Sequence, residues 1–283
     1  MTELQKIEFE ILKEFVRVCD ELHLTYYLVC GSALGAVKYQ GFIPWDDDID
    51  VALPRADYEI FCKKAQKMLP EYLFLQNHKT ERNYPLIFSK IRHKGTTFIE
   101  KSLATIHMNH GIYIDVFPLD GYSAAEREKK RIEKEKRRYE LARLCCLNVP
   151  HTWKTRLLVT FQKMIGLHKK PCRFINRLEK QIAQYSTNTS EIWCNHGNWQ
   201  GQLEYADKRQ YGQGIWATFE GLQVRIPEKY DDYLTQKYGA WREDLPENEK
   251  QGHHYYYVYD VQRAYTDYVV EVSKRKIKLN LNK

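Results

Sequence analysis

The sequence lacks several features that would place it in well-defined classes of protein. No apolar run is long enough to cross a bilayer, and the amino-terminal segment MTELQKIEFE has no apolar stretch of the kind found in signal peptides. None of the seven cysteines belongs to a C-x-x-C pair that would indicate a zinc site. Internal repeats and low-complexity tracts are also missing. These absences predict a cytoplasmic protein whose cysteines are mostly buried thiols.

Length and charge narrow the remaining classes. A chain of 283 residues can hold one large domain, or a core with an insertion, and can bury a sizeable apolar core. It carries 44 lysines and arginines against 37 acidic residues, which gives a net charge of +7. This moderate surplus favours anionic partners such as a nucleotide, a phosphorylated glycan or an acidic membrane surface. No nucleic-acid-binding motif accompanies it, so we expect no nucleic acid partner.

The stretch from Gly31 to Asp50 carries the clearest chemistry. It follows residues 26–30, a predicted buried strand, and its Gly31-Ser32 pair opens a predicted short helix. Free backbone N–H groups at the start of a helix attract phosphate. Gly31 and Ser32 are therefore candidate phosphate-binding residues.

Four aspartates close this stretch, at positions 46–48 and 50. If residues 48–51 form a strand, Asp48 and Asp50 project from one face because side chains alternate, and Asp46 joins them only if the strand begins earlier. Crowded carboxylates need a cation between them, and hard oxygen ligands suit Mg²⁺ or Mn²⁺. The alternative is a solvated acidic loop. The flanking apolar residues favour a core instead; they are Phe42, Ile43, Trp45, Ile49 and Val51.

A phosphate-binding turn beside a pair of metal-binding carboxylates predicts phosphoryl or nucleotidyl transfer. Two further strand candidates add charged residues. Asp115 lies among apolar residues in a predicted strand from Gly111, where an unpaired buried carboxylate would be costly, so it either binds a metal or is a hydrogen-bonded structural residue. Lys90 and Arg92 share one face of a predicted strand over 86–92, and either bind nucleotide phosphates or form a solvated face.

The string GSALGAVKYQGFIPWDDDIDVALPRADYEIF resembles the signature of the LicD family of phosphotransferases. This family belongs to the nucleotidyltransferase-fold superfamily and is distantly related to the fukutin-related protein. A second string, FEGLQVRIPEKYDDYLTQKYG, is similar to a later signature of the family. The similarity covers roughly residues 20–120 and 200–255. Lys38 stands where the family would have arginine, which alone offers a two-pronged contact to phosphate.

The resemblance implies a set of site residues. The catalytic and metal-binding residues would be Asp48, Asp50 and Asp115, with Asp46 as a further metal ligand. Asp115 would hold the third carboxylate position of nucleotidyltransferase folds and act as general base toward the acceptor hydroxyl. The substrate-binding residues would be Gly31, Ser32, Lys38, Trp45, Lys90, Arg92, His253 and His254. The cofactor would be Mg²⁺ or Mn²⁺.

We expect an α+β fold with a nucleotidyltransferase-like mixed sheet core, flanking helices and a helical insertion. The expected parts are a core at 1–121, the insertion at 122–190 and a carboxy-terminal part at 191–283 that returns to the core through a hairpin and a helix. Residues 151–173 contain no acidic residue and read as a basic amphipathic helix. This helix either contacts an anionic membrane peripherally, at its inner face, or packs on the domain with a basic outer face.

The resemblance implies transfer of a phospho-alcohol from a CDP-activated donor, CDP-choline above all, with release of CMP. The acceptor would be a hydroxyl of a cell-surface glycan, such as a teichoic acid or lipopolysaccharide, or of its lipid-linked precursor. CDP-ribitol and CDP-glycerol are alternative donors. A nucleotidyltransferase acting on a small molecule is a rival. A catalytically silent scaffold that binds nucleotide and metal is a rival from a different class.

Overall fold

A computed structural model describes residues 1–123, 125–149, 152–164, 166, 171–198, 200–252, 254–273 and 276–281. The helices are α1 (Glu3–Glu21), α2 (Cys30–Lys38), α3 (Arg55–Lys64), α4 (Glu126–Cys146), α5 (Trp153–Met164), α6 (Pro171–Ile182), α7 (Lys208–Tyr211) and α8 (Tyr230–Tyr238). The strands are β1 (Tyr27–Leu28), β2 (Asp50–Pro54), β3 (Leu73–Gln76), β4 (Ser89–His93), β5 (Thr97–Glu100), β6 (Tyr113–Tyr122), β7 (Ile192–Cys194), β8 (Tyr205–Asp207), β9 (Ile215–Phe219), β10 (Leu222–Ile226), β11 (Tyr256–Asp260), β12 (Tyr268–Ser273) and β13 (Lys276–Leu281).

A mixed sheet forms the centre of the molecule and has the strand order β1-β2-β6-β4-β3, with β7 and β8 added along the far end of β6. Strands β2 and β6 run parallel, whereas β1, β4 and β7 are antiparallel to their neighbours in the sheet. Separate strand pairs, β9 with β10 and β5 with β11, bring the carboxy-terminal part onto this core. The predicted α+β class is confirmed.

Helix α1 covers one face of the sheet. A capping box opens the helix: Thr2 Oγ1 accepts a hydrogen bond from the Gln5 backbone N–H at 3.1 Å, and Gln5 Oε1 accepts from the Thr2 N–H at 2.8 Å. Residues at helical spacing, such as Ile11, Phe15 and Val18, have no exposed surface and pack with the sheet residues Val51, Ile91, Ile114 and Val116.

Two strands differ from their predicted bounds. The aspartate strand begins at Asp50, so Asp48 lies in the preceding loop and not on the strand. Strand β6 begins at Tyr113 rather than at Gly111 and continues to Tyr122, which places Asp120 in the core. Asp120 is buried because Arg55 provides a two-pronged partner, with Nε–Oδ1 at 2.6 Å and Nη2–Oδ2 at 2.7 Å.

The helices α4 and α6 share a core cluster with the sheet, in which Ile132, Tyr139 and Leu178 pack with Phe88 and Phe117. The basic amphipathic helix predicted over 151–173 is shorter in the structure: α5 ends at Met164, and a separate helix, α6, begins at Pro171. Residues 151, 165 and 167–170 of that segment lie outside the described residues. The domain boundaries stay a prediction. In the described part of the chain, no helix is long and apolar enough to cross a membrane.

Candidate active site

A loop between α2 and β2 gathers Asp46, Asp47 and Asp48. Helix α1 holds one end of this loop, because the Gln5 side-chain amide donates to the Asp46 carbonyl oxygen at 3.0 Å. Helix α2 lies against the same residue: a Cβ atom on Gly31 would lie 2.8 Å from Asp46 Oδ2, so the glycine leaves room for this carboxylate. The loop therefore turns three consecutive carboxylates toward one region.

The strands place a second set of charges beside the loop. Asp50 of β2 is the register neighbour of Asp115 on β6, and Asp115 is the register neighbour of Lys90 on β4. The Lys90 ammonium lies 2.9 Å from Asp115 Oδ1. The Asp50 backbone N–H donates to Ser32 Oγ at 2.8 Å, which fixes the start of α2 against the start of β2.

His254 approaches the acidic loop from the carboxy-terminal part of the chain. Its Nδ1 lies 3.0 Å from Asp47 Oδ1, its backbone N–H donates to Asp47 Oδ2 at 3.2 Å, and its Nε2 lies 3.8 Å from Asp48 Oδ2. One ligand atom from each of Asp47, Asp48 and His254 falls within 4.8 Å of the others, which makes this group a candidate metal site. Carboxylate oxygens with one imidazole suit Mn²⁺, and the oxygens suit Mg²⁺.

Electrostatics support a cation at this position. Burial raises the pKa of Asp46, Asp50 and Glu8 well above their usual ranges, and the negative charge of Asp48 adds to each shift. Burial also opposes protonation of His254, but the charges of Asp48 and Asp47 outweigh it and raise the His254 pKa to about 10. Carboxylates held this close must bind protons or share a cation, so the residues present fit a divalent ion.

Lys90 and Arg92 lie under the site within a buried network of charges. The Arg92 guanidinium has no exposed surface and donates to Gln76, to Gly111 and, at 3.1 Å, to Glu100. Burial would raise the Glu100 pKa, yet the cationic Lys90 and Arg92 lower it to about 2. Burial contradicts a solvated face for these cations, because they are buried ion-pair partners and Lys90 contacts Asp115 directly; their binding of nucleotide phosphates stays a prediction.

The remaining predicted substrate-binding residues are more dispersed. Lys38, at the far end of α2, donates to the carbonyl oxygens of Arg242 and Glu243 and pairs with Asp244, so the structure does not bring it to the acidic loop. Trp45 stands beside the loop with the Lys250 ammonium 5.4 Å from its ring centre. His253 lies outside the described residues.

Four residues near the site were missed by the sequence reasoning: Glu8, Asp47, Glu100 and Lys237. Strict strand alternation would turn Asp47 away from Asp48, whereas a loop has no such alternation. Lys237 on α8 is buried, with its Nζ 2.6 Å from Glu204 Oε1. The sequence does not indicate this burial, because Lys237 lies in an ordinary amphipathic helix. Glu8 likewise reads as one of several helix glutamates. Only its burial in the folded protein distinguishes it.

Comparison with known proteins gives a family for this geometry. Residues 23–144 match the family described as LicD/FKTN/FKRP, nucleotidyltransferase domain. The chain is 27% identical over 274 residues to the lipopolysaccharide cholinephosphotransferase LicD of Haemophilus influenzae, and the alignment covers 94% of this chain and 97% of that protein. An uncharacterized protein of Rickettsia prowazekii is 33% identical over 64 residues, which are 23% of each chain. The predicted resemblance to the LicD family is confirmed over residues 23–144, and with it the predicted class of phosphotransferase.

Proposed function

Because residues 23–144 form a LicD-family nucleotidyltransferase domain, we propose that this protein transfers phosphocholine from CDP-choline to a hydroxyl of a cell-surface glycan or its lipid-linked precursor. The observation that carries the proposal is the row of Asp50, Asp115 and Lys90 on adjacent strands, beside the carboxylate of Asp48. The relative from Haemophilus influenzae, named as a lipopolysaccharide cholinephosphotransferase, supports phosphocholine as the transferred group.

The proposed reaction forms one bond and breaks one bond. The acceptor hydroxyl oxygen bonds to the phosphorus that bears choline, the bond between this phosphorus and the CMP oxygen breaks, and CMP leaves with the electron pair. Asp115 takes the hydroxyl proton, and Lys90, 2.9 Å from Asp115 Oδ1, keeps that carboxylate oriented. A cation at this site would stabilise charge on the transferring oxygens.

Two groups of residues would hold Mg²⁺ or Mn²⁺. Asp48, Asp50 and Asp115, with Asp46, are the ligands proposed from the sequence. The structure adds Asp47 and His254 as partners of Asp48. The imidazole must be neutral to bind a metal, so metal uptake would release the proton that His254 holds in the metal-free protein.

Calorimetric titration with CDP-choline, CDP-ribitol and CDP-glycerol, each with and without Mg²⁺, tests the donor. We expect metal-dependent binding of CDP-choline and, with a glycan acceptor present, formation of CMP. Preference for CDP-ribitol or CDP-glycerol would identify ribitol phosphate or glycerol phosphate, instead of phosphocholine, as the transferred group. Binding of CTP or ATP alone, with a nucleotide left on the product, would favour the rival nucleotidyltransferase. Nucleotide binding without CMP formation at any acceptor concentration would favour the silent scaffold.

We also propose that α5 brings the protein to the inner face of a membrane, where lipid-linked acceptors lie. Its large apolar side chains are exposed: Trp153 is 69%, Leu157 64%, Leu158 55%, Phe161 62% and Met164 80% exposed. At 3.6 residues per turn they share one side of the helix, while Val159, 4% exposed, faces the protein from the opposite side. This orientation disfavours packing of the apolar side on the domain.

The charge pattern of α5 favours a lipid bilayer as the partner of its apolar side. Helix α5 contains no acidic residue, and the exposed Arg156 and Lys163 flank its apolar side. Apolar side chains can enter the interface of a membrane while adjacent cations contact anionic headgroups. A protein partner would not require a helix free of acidic residues, so an anionic bilayer fits better.

We predict that the double substitution Leu157→Gln with Phe161→Gln weakens binding to phosphatidylglycerol-containing vesicles by at least about tenfold, because each buried apolar side chain contributes ~1.5–3 kcal/mol. Vesicle co-sedimentation measures the effect. The matched control is Trp216→Gln with Leu245→Gln, which removes two exposed apolar residues outside α5. Equal binding by both double variants and the parent protein would contradict membrane contact through α5.

A further inference from the structure

A cleft of about 360 Å³ adjoins the candidate active site, and its volume falls in the range of ligand-binding clefts, ~300–1,000 Å³. It lies where the end of β5, the segment after α4 and the segment before β11 meet, and its lining includes Glu100, Lys101, Ser102, Asn148, His254 and Tyr255. The Lys101 N–H donates to the Tyr255 carbonyl oxygen at 2.8 Å, and the Asn148 N–H donates to the Ser102 carbonyl oxygen at 2.7 Å. Backbone hydrogen bonds therefore hold the three segments around the cleft together.

The cleft borders both groups of charges at the candidate site. His254 lines the cleft and also contacts the acidic loop, with its Nδ1 3.0 Å from Asp47 Oδ1. Glu100 lines the cleft as well, and its Oε1 lies 3.7 Å from the Lys90 ammonium, which contacts Asp115 at 2.9 Å. A molecule in this cleft would therefore lie beside the groups that act in the proposed phosphotransfer.

The lining combines an aromatic ring with hydrogen-bonding groups. Tyr255 is 76% exposed, so its ring is accessible to a ligand. Ser102, Asn148 and Lys101 add a hydroxyl, an amide and an ammonium group. This combination suits a sugar, because the C–H face of a sugar ring can stack on an aromatic ring while its hydroxyls bond to polar side chains.

The charges of the cleft favour a sugar over the cationic choline group of the donor. Lys101 places an ammonium in the lining, and its Nζ lies 5.8 Å from the Tyr257 ring centre, where a quaternary ammonium would make the same kind of contact. The carboxylate of Glu100 already pairs with Arg92 at 3.1 Å. A cation would meet a like charge in this cleft, whereas an uncharged or anionic glycan would not.

We propose that this cleft binds a sugar ring of the glycan acceptor and that the ring stacks on Tyr255. The inference rests on the proposed function and specifies where its acceptor would lie. Val149, which also lines the cleft, is separated by only a few residues from Trp153, the first residue of α5. A chain of four residues spans at most about 14 Å, so the cleft lies near the helix proposed to contact the membrane, as a lipid-linked acceptor would require.

Tyr255→Ala tests the stacking contact. The probes are the methyl glycosides of glucose, galactose, N-acetylglucosamine and N-acetylgalactosamine, and their dissociation constants are measured by saturation-transfer NMR on the full chain. We expect the glycoside that binds the parent protein most tightly to bind the variant at least about tenfold more weakly, because its contact with the ring is lost. Tyr255→Phe keeps the ring and should keep most of the affinity. Binding of CDP-choline with Mg²⁺ should stay parental in both variants.

The matched control is Tyr259→Ala, which removes an exposed tyrosine of β11 outside the lining of the cleft and should keep the parental affinity for the glycoside. A loss of CDP-choline affinity in Tyr255→Ala, with glycoside affinity unchanged, would overturn the proposal and assign the cleft to the donor. Parental affinity for both ligands would overturn it too, as would a parent protein that binds none of the four glycosides. A parent protein that binds a glycoside through Tyr255 but binds no CDP-alcohol would instead refute the proposed function and leave the sugar site in place.

Discussion

Replacing Asp48 with alanine is expected to lower the rate of CMP formation by about three orders of magnitude, which corresponds to ~4 kcal/mol of lost transition-state stabilisation. Asp48 is the common neighbour in the site: its charge acts on Asp46, Asp50 and Asp115, and its Oδ2 lies 3.8 Å from His254 Nε2. Without it, the cation would lose a ligand shared by both groups of carboxylates.

The measurement is CMP release from CDP-choline at saturating Mg²⁺ in the presence of acceptor, with the parent protein treated with EDTA as the metal-free reference. The two should show similarly low rates. Asp20→Asn, which removes an exposed carboxylate at the end of α1, is the matched control and should keep the parental rate. A rate for Asp48→Ala within a fewfold of the parental rate would show that Asp48 takes no part in the reaction. Undiminished activity in EDTA would show that the reaction needs no metal.

The sequence could predict the part of this site that lies on the central strands. Asp50 and Asp115 each stand in a short apolar run, which is typical of a buried strand, and a carboxylate in such a run needs a partner. The structure makes them register neighbours on parallel strands. The pairing of Lys90 with Asp115 follows the same logic, because charged residues that alternate with apolar ones share a face of the sheet.

The other half depends on contacts between distant parts of the chain. His254 reaches Asp47 because β11 pairs with β5, where Tyr256 is the register neighbour of Glu100. No local pattern predicts the pairing of strands more than 150 residues apart, although the resemblance had drawn attention to the histidine. Lys38 also shows the effect of distant contacts: the loop over 242–244 offers its ammonium group carbonyl oxygens and the Asp244 carboxylate, and phosphate binding by Lys38 stays a prediction.

The carboxy-terminal part thus contributes a residue to the candidate site as well as strands to the fold. Strand β11 sets His254 beside Tyr113 and Phe98, with ring centres 6.0 and 6.4 Å away, and the Lys90 ammonium of β4 lies 3.3 Å from the Tyr113 ring centre. Glu100, the last residue of β5, pairs with Arg92, and its negative charge raises the His254 pKa. The acidic loop, the sheet and the carboxy-terminal strand are therefore coupled electrostatically, and a cation would act on all of them.

Asp120→Ala is expected to reduce the free energy of unfolding by about 3–5 kcal/mol, because it leaves the buried Arg55 guanidinium without its two-pronged partner. Glu179, 3.9 Å from Arg55 Nη1, is too far to replace it. Urea unfolding measures the loss, and Glu3→Ala, which breaks the exposed pair with Lys6, should have a much smaller effect.

The double variant Arg55→Met with Asp120→Leu separates the value of this ion pair from the cost of breaking it. Apolar side chains of similar volume leave no buried charge, so the double variant should recover most of the stability that Asp120→Ala loses. Mn²⁺ affinity should stay parental in both variants, since Asp120 pairs with Cys194 at the far end of β6 from Asp115. A loss for Asp120→Ala no greater than that for Glu3→Ala would show that water or Glu179 satisfies Arg55, and the pair would then contribute little to the core.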